Sequence, residues 1–312
     1  MTWETYDGHV HTCLSDADPD QTPREVCRQA RAAGLAHLAI TDHDFMLDRE
    51  ERLALEEEFD LDVIPGCELS ARTEISGIPH NVHIGGHWLN EEEPLLRQVL
   101  RVNQSQDFEA FRKEILRRCL RCGLDPGGEG DVDRSYQMLL ERNPQSNHYG
   151  RREVARLLAE TGCVSSVREA QDQYLSAHGK RRAYVPGERY LCFAPLEQVV
   201  EAIRASGGIA TLNHLYAYRL RQEEEEALVR QFRDLGGQAL EVVYSRYTPR
   251  QRERLMDYCQ RFGLLPNCGS DRHTAEKPFQ QGDGELFRRL RDRCMALRGG
   301  ETLPTGENRD MI

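Results

Sequence analysis

The sequence predicts an α/β protein, a parallel sheet or barrel interrupted by a mostly helical insertion. Short apolar segments alternate with helical patterns over residues 1–90, and the alternation returns over residues 183–298. Between them, residues 91–182 carry long helical patterns and no strand-like run. Strands separated by helices signal parallel pairing, because a parallel neighbour needs a crossover connection.

Residues 6–11 read as the first strand. Thr22 is placed to cap the next helix, Pro23 suits its first turn, Glu25 completes a capping box, and Gly34 ends it. A strand over Leu35–Ile40 runs into Thr41-Asp42-His43-Asp44. An acidic helix over about Asp48–Phe59 precedes a strand at Leu61–Glu68, and a further strand is expected at Asn81–His87. In the insertion, helical patterns cover Glu92–Cys122, Tyr149–Glu160 and Val167–Ser176, with a glycine-rich break at Pro126–Gly130. The basic link Gly179–Arg182 closes it. Helices at Pro195–Ala205, Glu223–Asp234 and Thr248–Phe262 then lead into strands at Ile209–His214, Ala239–Val243 and Leu264–His273. A last helix, about Glu285–Leu297, precedes a polar tail over Gly299–Ile312 that is expected to be disordered.

The formal net charge is −11, with no long basic run and no interleaving of aromatic and basic residues. A stable complex with a nucleic-acid backbone, which needs clustered Lys and Arg, is therefore not expected. A nucleotide or a strand end as substrate is compatible with this balance, because bound cations supply local positive charge. No apolar run approaches the length of a membrane span, so no membrane partner is expected. The ten cysteines are scattered and the chain starts Met-Thr-Trp-Glu without an apolar segment, which points to a reducing, cytoplasmic compartment. Cys119 and Cys122, without a second pair, read as ordinary thiols rather than a zinc or redox motif.

Chemistry-bearing residues collect where strands end. His9 and His11 are two apart on the first strand and share a face, and Asp16 follows on a loop able to fold back. On its own such a pair is as often structural as functional. His43, Glu68, His83, His214, Asp271 and His273, however, each follow or lie in apolar strands elsewhere. In a parallel α/β barrel the strand C-termini share one face. Six imidazoles and three carboxylates meeting there are costly unless cations resolve their repulsion and desolvation. Nine nitrogen and oxygen ligands exceed the needs of one ion, so two or three divalent ions are expected, and the lack of thiolates favours Mn, Fe or Zn. On the strand around residue 83, His83 is the expected ligand, whereas His80 and His87 read as surface or substrate-side groups. His37, His148 and His178 read as solvent-facing or hydrogen-bonded.

His-x-His, Thr41-Asp-His-Asp44, Pro65-Gly-Cys-Glu-Leu-Ser70, Val82-His-Ile-Gly-Gly86 and Gly269-Ser-Asp-Arg-His273 together resemble the successive motifs of the PHP (polymerase and histidinol phosphatase) superfamily. The resemblance implies a distorted (β/α)7 barrel with a two- or three-metal phosphoesterase site. It is nearest the subgroup with a helical insertion, which includes nucleoside monophosphate and 3′,5′-bisphosphate phosphatases and an exonuclease acting on RNA 5′ ends. Val164–Ala170, Tyr174-Leu175 and Tyr184-Val-Pro186 are also similar to that subgroup. Two departures stand out. Asn213-His214-Leu215 replaces Ala-His-Pro, and Gly150-Arg-Arg-Glu153 lacks the histidine of a Gly-Arg-Pro-His motif.

The expected reaction is hydrolysis of a phosphate ester, most readily of a nucleotide. A water bridging two ions would have its pKa lowered from 15.7 toward roughly 7 and attack phosphorus. All nine residues act through the metals, with a carboxylate such as Glu68 bridging. Asp42 and Asp44 are expected to orient His43 or cap the next helix. Arg151, Lys180, Arg181 and Arg182 are candidates for binding phosphate, on the expectation that the insertion covers the barrel mouth, and Ser70 for touching substrate. Alternatives are a phosphatase of the histidinol-phosphate type, a 5′-to-3′ exonuclease on short RNA and, in a different class, a non-catalytic metal-binding regulatory barrel.

Overall fold

In the computed structural model of the chain, residues 5–142, 144, 150–176, 179–282 and 284–299 are described. His148, Tyr149, His178 and the tail beyond Gly299 lie outside the described residues. The chain forms two compact units, Met1–Gln104 with Phe193–Ile312, and Ser105–Cys192.

Among the described residues, the first unit holds seven strands paired in chain order: β1 (Tyr6–Val10), β2 (His37–Ile40), β3 (Asp62–Ile75), β4 (Ile78–His87), β5 (Ile209–Leu212), β6 (Ala239–Val243) and β7 (Leu265–Cys268). β1–β2–β3 and β5–β6–β7 are parallel, but β4 runs antiparallel to both β3 and β5. The expectation of uniformly parallel strands fails here. Residues 62–75 and 78–87 form one long hairpin, Ser76 and Gly77 making its two-residue turn with φ of 53° and 78°. Positive φ at both turn residues matches the right-handed twist of the flanking strands.

The sheet's edges meet beyond the regular ladder. Asp271 N donates to His9 O (2.7 Å), His11 N to Arg272 O (2.9 Å) and Gly282 N to Tyr6 O (2.8 Å). Inside lies a core drawn from six of the strands, Tyr6, Ala39, Ile64, Ile209, Ala239 and Cys268, with Trp88 just past β4. Phe287 and Leu290 of α11 (Gly284–Leu297) pack into the same cluster. Register slips between Asp7 and Val10 of β1, so strict alternation breaks. Tyr6 joins this core, while His9 and His11, of opposite parity, join the polar layer described below.

Helices of the same unit are α1 (Pro23–Ala32), α2 (Arg49–Phe59), α3 (Pro94–Gln104), α8 (Leu196–Ala205), α9 (Gln222–Asp234), α10 (Pro249–Phe262) and α11. The Thr22 hydroxyl caps α1 by accepting from Glu25 N (3.2 Å). The capping box does not close, because the Glu25 carboxylate accepts instead from Arg28 (2.8 and 2.6 Å) and Gln29 (2.6 Å), and charge-assisted bonds outweigh a neutral one. Asp48 caps α2, and Thr248 with Gln251 forms a complete box on α10. Leu96 and Val99 of α3 are buried in one cluster with Val199, Val200 and Ile203 of α8. That burial assigns α3 to the first unit, so the helical unit begins at Ser105 rather than at residue 91.

The second unit contains α4 (Phe108–Arg121), α5 (Val132–Arg142), α6 (Arg151–Glu160) and α7 (Val167–Glu169), which continues as a π-helical turn, Ala170–Leu175. The expected long helix Glu92–Cys122 is two helices, and Asp107 caps the second by accepting from Ala110 N (2.8 Å). Cys119 is buried and Cys122 half-buried, both as free thiols.

Candidate metal centre

Above the apolar core of the first unit, the nine expected residues converge. The His9 and His11 Nε2 atoms are 3.0 Å apart, and the Glu68 carboxylate approaches both rings. Glu68 Oε1 is 3.3 Å from His9 Nε2 and 3.0 Å from His214 Nε2. Its Oε2 is 3.3 Å from His11 Nε2, 3.2 Å from His43 Nδ1 and 3.6 Å from His83 Nδ1. Asp271 Oδ1 is 3.5 Å from His11 Nε2 and 3.3 Å from His273 Nδ1. Asp16 Oδ1 is 2.9 Å from His273 Nε2 and 3.8 Å from His43 Nε2.

These distances define overlapping groups with ligand atoms within 4.8 Å of one another: His11–Asp16–His43–His273, His9–Glu68–His214, His9–His11–Asp271 and His43–Glu68–His83. Two properties of the chain fit cations at these positions. Two imidazole nitrogens 3.0 Å apart repel unless a proton or cation sits between them. Glu68 Oε2 is buried without a hydrogen bond among the described residues, although buried carboxylate oxygens are normally satisfied.

The hairpin explains His83. It does not stand at the C-terminal end of its strand, as a parallel arrangement requires, but in the middle of β4 opposite Ser70. The reversal of β4 still brings it beside Glu68. His87, four residues on, is buried opposite Gly66 near the start of β3, and its Nε2 donates to Gly8 O (2.8 Å). It is therefore a core histidine and not a surface or substrate-side group. His80 is partly exposed, and His37 is buried with Nδ1 2.7 Å from Asp62 Oδ2.

Asp42 neither orients His43 nor caps a helix. Its carboxylate accepts from Thr12 N (2.7 Å), Thr12 Oγ1 (2.6 Å) and Ser15 Oγ (2.5 Å), pinning the loop that carries Asp16. Asp44 accepts from Ser70 N (2.9 Å) and Asn103 Nδ2 (2.6 Å). Ser70 is thereby held with no exposed surface, which removes the expected contact of its hydroxyl with a substrate. In the second unit, the Arg151 guanidinium donates to Val185 O (2.8 Å) and lies over Tyr184 and Phe111. Arg181 donates to the Tyr174 hydroxyl and lies over the Tyr174 ring, while Lys180 and Arg182 are exposed.

Sequence reasoning missed four supporting groups. Glu241 on β6 is buried, and its Oε1 accepts from His9 Nδ1 (2.8 Å). Asn213 Nδ2 donates to Glu68 Oε1 (2.8 Å). Tyr244 donates to Asp271 Oδ2 (2.8 Å), and Lys277 Nζ donates to Asp271 O (2.6 Å). Glu241 had a signal, since it is the lone acidic residue in the apolar run Ala239–Val243. The others are legible only in three dimensions.

Electrostatics follow from this packing. Burial alone raises the Glu68 pKa, but His9, His83, His43 and His214 outweigh it and hold the carboxyl well below its ordinary range. Burial also raises Asp271, yet His273, Lys277, His9 and His11 drive it well below. Burial lowers His9, and Glu68 with Glu241 more than reverses this, so its pKa stands well above the ordinary value. His11, buried and beside His273, is lowered. His214 and Asp271 also adopt positive φ, 29° and 50°, a strain of about 1–3 kcal/mol each that only a surrounding network maintains.

Comparison with known proteins gives a consistent picture. Residues 7–185 match the PHP domain family. The chain is 32% identical over 275 residues to the 5′-3′ exoribonuclease Rnm of Escherichia coli, covering 86% of this chain and 85% of that protein. It is 30% identical over 269 residues to the 3′,5′-nucleoside bisphosphate phosphatase of Chromobacterium violaceum, covering 86% and 87%. A solved amidohydrolase from Chromobacterium violaceum, determined with bound sulfate and no metal, superposes with a TM-score of 0.72 at 27% identity, over 92% of this chain and 96% of that one.

Proposed function

The chain belongs to the PHP domain family and is a metal-dependent phosphoester hydrolase, and we propose that it acts on a nucleotide, a nucleoside monophosphate or 3′,5′-bisphosphate. The observation that carries the proposal is the convergence on Glu68 of five imidazoles from four segments, one carboxylate oxygen being buried without a hydrogen bond among the described residues.

His9, His11, Asp16, His43, Glu68, His83, His214, Asp271 and His273 are the proposed ligands of two or three divalent ions, Mn, Fe or Zn. Bound there, such ions lower the pKa of water and neutralise phosphate oxygens. Glu68 serves two positions, Oε1 toward His9 and His214 and Oε2 toward His11, His43 and His83. Asp42 fixes the loop of Asp16, and Tyr244 with Lys277 leaves Asp271 Oδ1 directed at His11 and His273. Arg151, Lys180, Arg181 and Arg182 are proposed to bind the substrate's phosphates. Free thiols at all ten cysteines support a reducing, cytoplasmic setting. Among the described residues no helix is long and apolar enough to cross a membrane.

A second reading, removal of nucleotides from an RNA 5′ end, draws on the likeness to Rnm over 86% of the chain. A substrate panel in Mn²⁺ separates the readings: nucleoside monophosphates, 3′,5′-bisphosphates, histidinol phosphate and short 5′-phosphorylated RNA. Preferred release of phosphate from the mononucleotides is expected. Turnover of histidinol phosphate alone, or of RNA alone, would overturn the nucleotide assignment. Glu68→Gln should lower kcat/KM more than about 100-fold.

A further inference from the structure

Glu241 meets His9 at Nδ1, the ring nitrogen opposite the one that faces Glu68. Its Oε1 accepts from His9 Nδ1 (2.8 Å), and its Oε2 accepts from the backbone N–H of His214 (2.8 Å). It is 2% exposed, and no Lys or Arg forms an ion pair with it among the described residues. A carboxylate buried without a permanent cation is costly unless its partners use it. Gly269 supplies a second, independent sign that the contact is built, since a Cβ there would collide with both His9 Cβ and Glu241 Oε1. His214 stands at φ 29°, where a non-glycine residue persists only if its surroundings hold it.

We propose that Glu241 is a positioning residue that sets two ligands at once: it keeps the proton of His9 on Nδ1, so that Nε2 is turned to Glu68 and His11, and it holds the His214 amide in the left-handed conformation that aims its ring at Glu68. The inference rests on the metal-centre reading. An acceptor 2.8 Å from Nδ1 selects the tautomer whose Nε2 carries a free lone pair, the form a cation needs. The bond to His214 N fixes the backbone of a second ring, whose Nε2 is 3.0 Å from Glu68 Oε1. One side chain thus couples the His9–His11–Asp271 group to the His9–Glu68–His214 group.

Full-length wild type and Glu241→Gln are titrated with Zn²⁺ against a competing chelator, and the histidine rings of the zinc-loaded chains are followed by ¹⁵N NMR. Both Glu241 partners are N–H donors, so an amide can satisfy only one of them. The variant should fold and melt cooperatively but bind at least one zinc about 10- to 100-fold more weakly. Wild type should show a slowly exchanging His9 Nδ1–H. A merely structural role would lower the melting temperature and leave affinity per folded chain unchanged. Equal zinc affinity, or a wild-type His9 protonated on Nε2, overturns the inference. Should Glu241→Gln fail to fold, the wild-type ring spectrum decides. Failure of the wild type to bind zinc at all would instead overturn the metal-centre reading, and this inference with it.

Discussion

His83 and His87 occupy the same strand and the same face, four residues and so about 13 Å apart. One meets Glu68 and the other the carbonyl of Gly8. Their chemistry differs because their neighbours do. At His87, burial first of all lowers the pKa to about 4. The unfolded chain has an ordinary histidine near 6.5, so between pH 6.5 and 4 the unfolded state binds a proton that the native state refuses. The stabilisation from neutral His87 is complete above pH 6.5 and is lost as pH falls toward 4, up to about 3 kcal/mol. His87→Gln, whose amide can still donate to Gly8 O, should show a shallower fall in urea-unfolding free energy from pH 7 to 4.5. Parallel curves for variant and wild type would contradict this. Equal parity puts residues 83 and 87 on one face of a strand. It could not say that burial under the Gly8 carbonyl awaited the second.

At the scale of elements, the β3–β4 hairpin does what a crossover helix does elsewhere in the sheet. It reverses direction within two residues and lets Ile64, Glu68 and His83 be held by continuous ladders. The turn depends on Gly77 at φ 78°, with nothing near the position of a Cβ, so only backbone conformation opposes a side chain there. Gly77→Ala should therefore cost about 1 kcal/mol in chemical denaturation while leaving catalysis unchanged. A cost near zero would mean that the turn readily takes another form. In sequence, Ser76-Gly77 between β-prone runs carried a turn signal, yet strand polarity was read from the alternation around it. The helical pattern over Glu92–Cys122 likewise hides a break. Ser105-Gln106-Asp107 ends one helix and caps the next, and an Asp cap inside a polar stretch gives only a weak signal.

For the whole molecule, buried imidazoles and carboxylates without ions are a store of instability, and bound cations relieve it. At 100-fold excess over its dissociation constant, each ion adds about 2.7 kcal/mol to folding stability. Mn²⁺ or Zn²⁺ added to chelator-treated protein should raise the melting temperature by at least about 5 °C. Glu68→Gln, which removes the carboxylate common to two of the ligand groups, should lose most of that rise. A melting temperature indifferent to chelator would argue against ions at this cluster.

The sequence by itself determined the helix–strand rhythm, the helical insertion, the family and the nine polar residues that gather in one place. Those features depend on local periodicity and on ordered motifs, which a linear chain displays directly. Only the tertiary structure decided that β4 runs backwards, that α3 belongs with the unit that holds the sheet, that Asp42 pins a loop and that Ser70 is sealed off. It also brought Glu241, Asn213, Tyr244 and Lys277 to the ligands from up to 232 residues away in the chain. A hydrogen bond between distant residues leaves no period in the sequence, because its partners are set by packing and not by spacing.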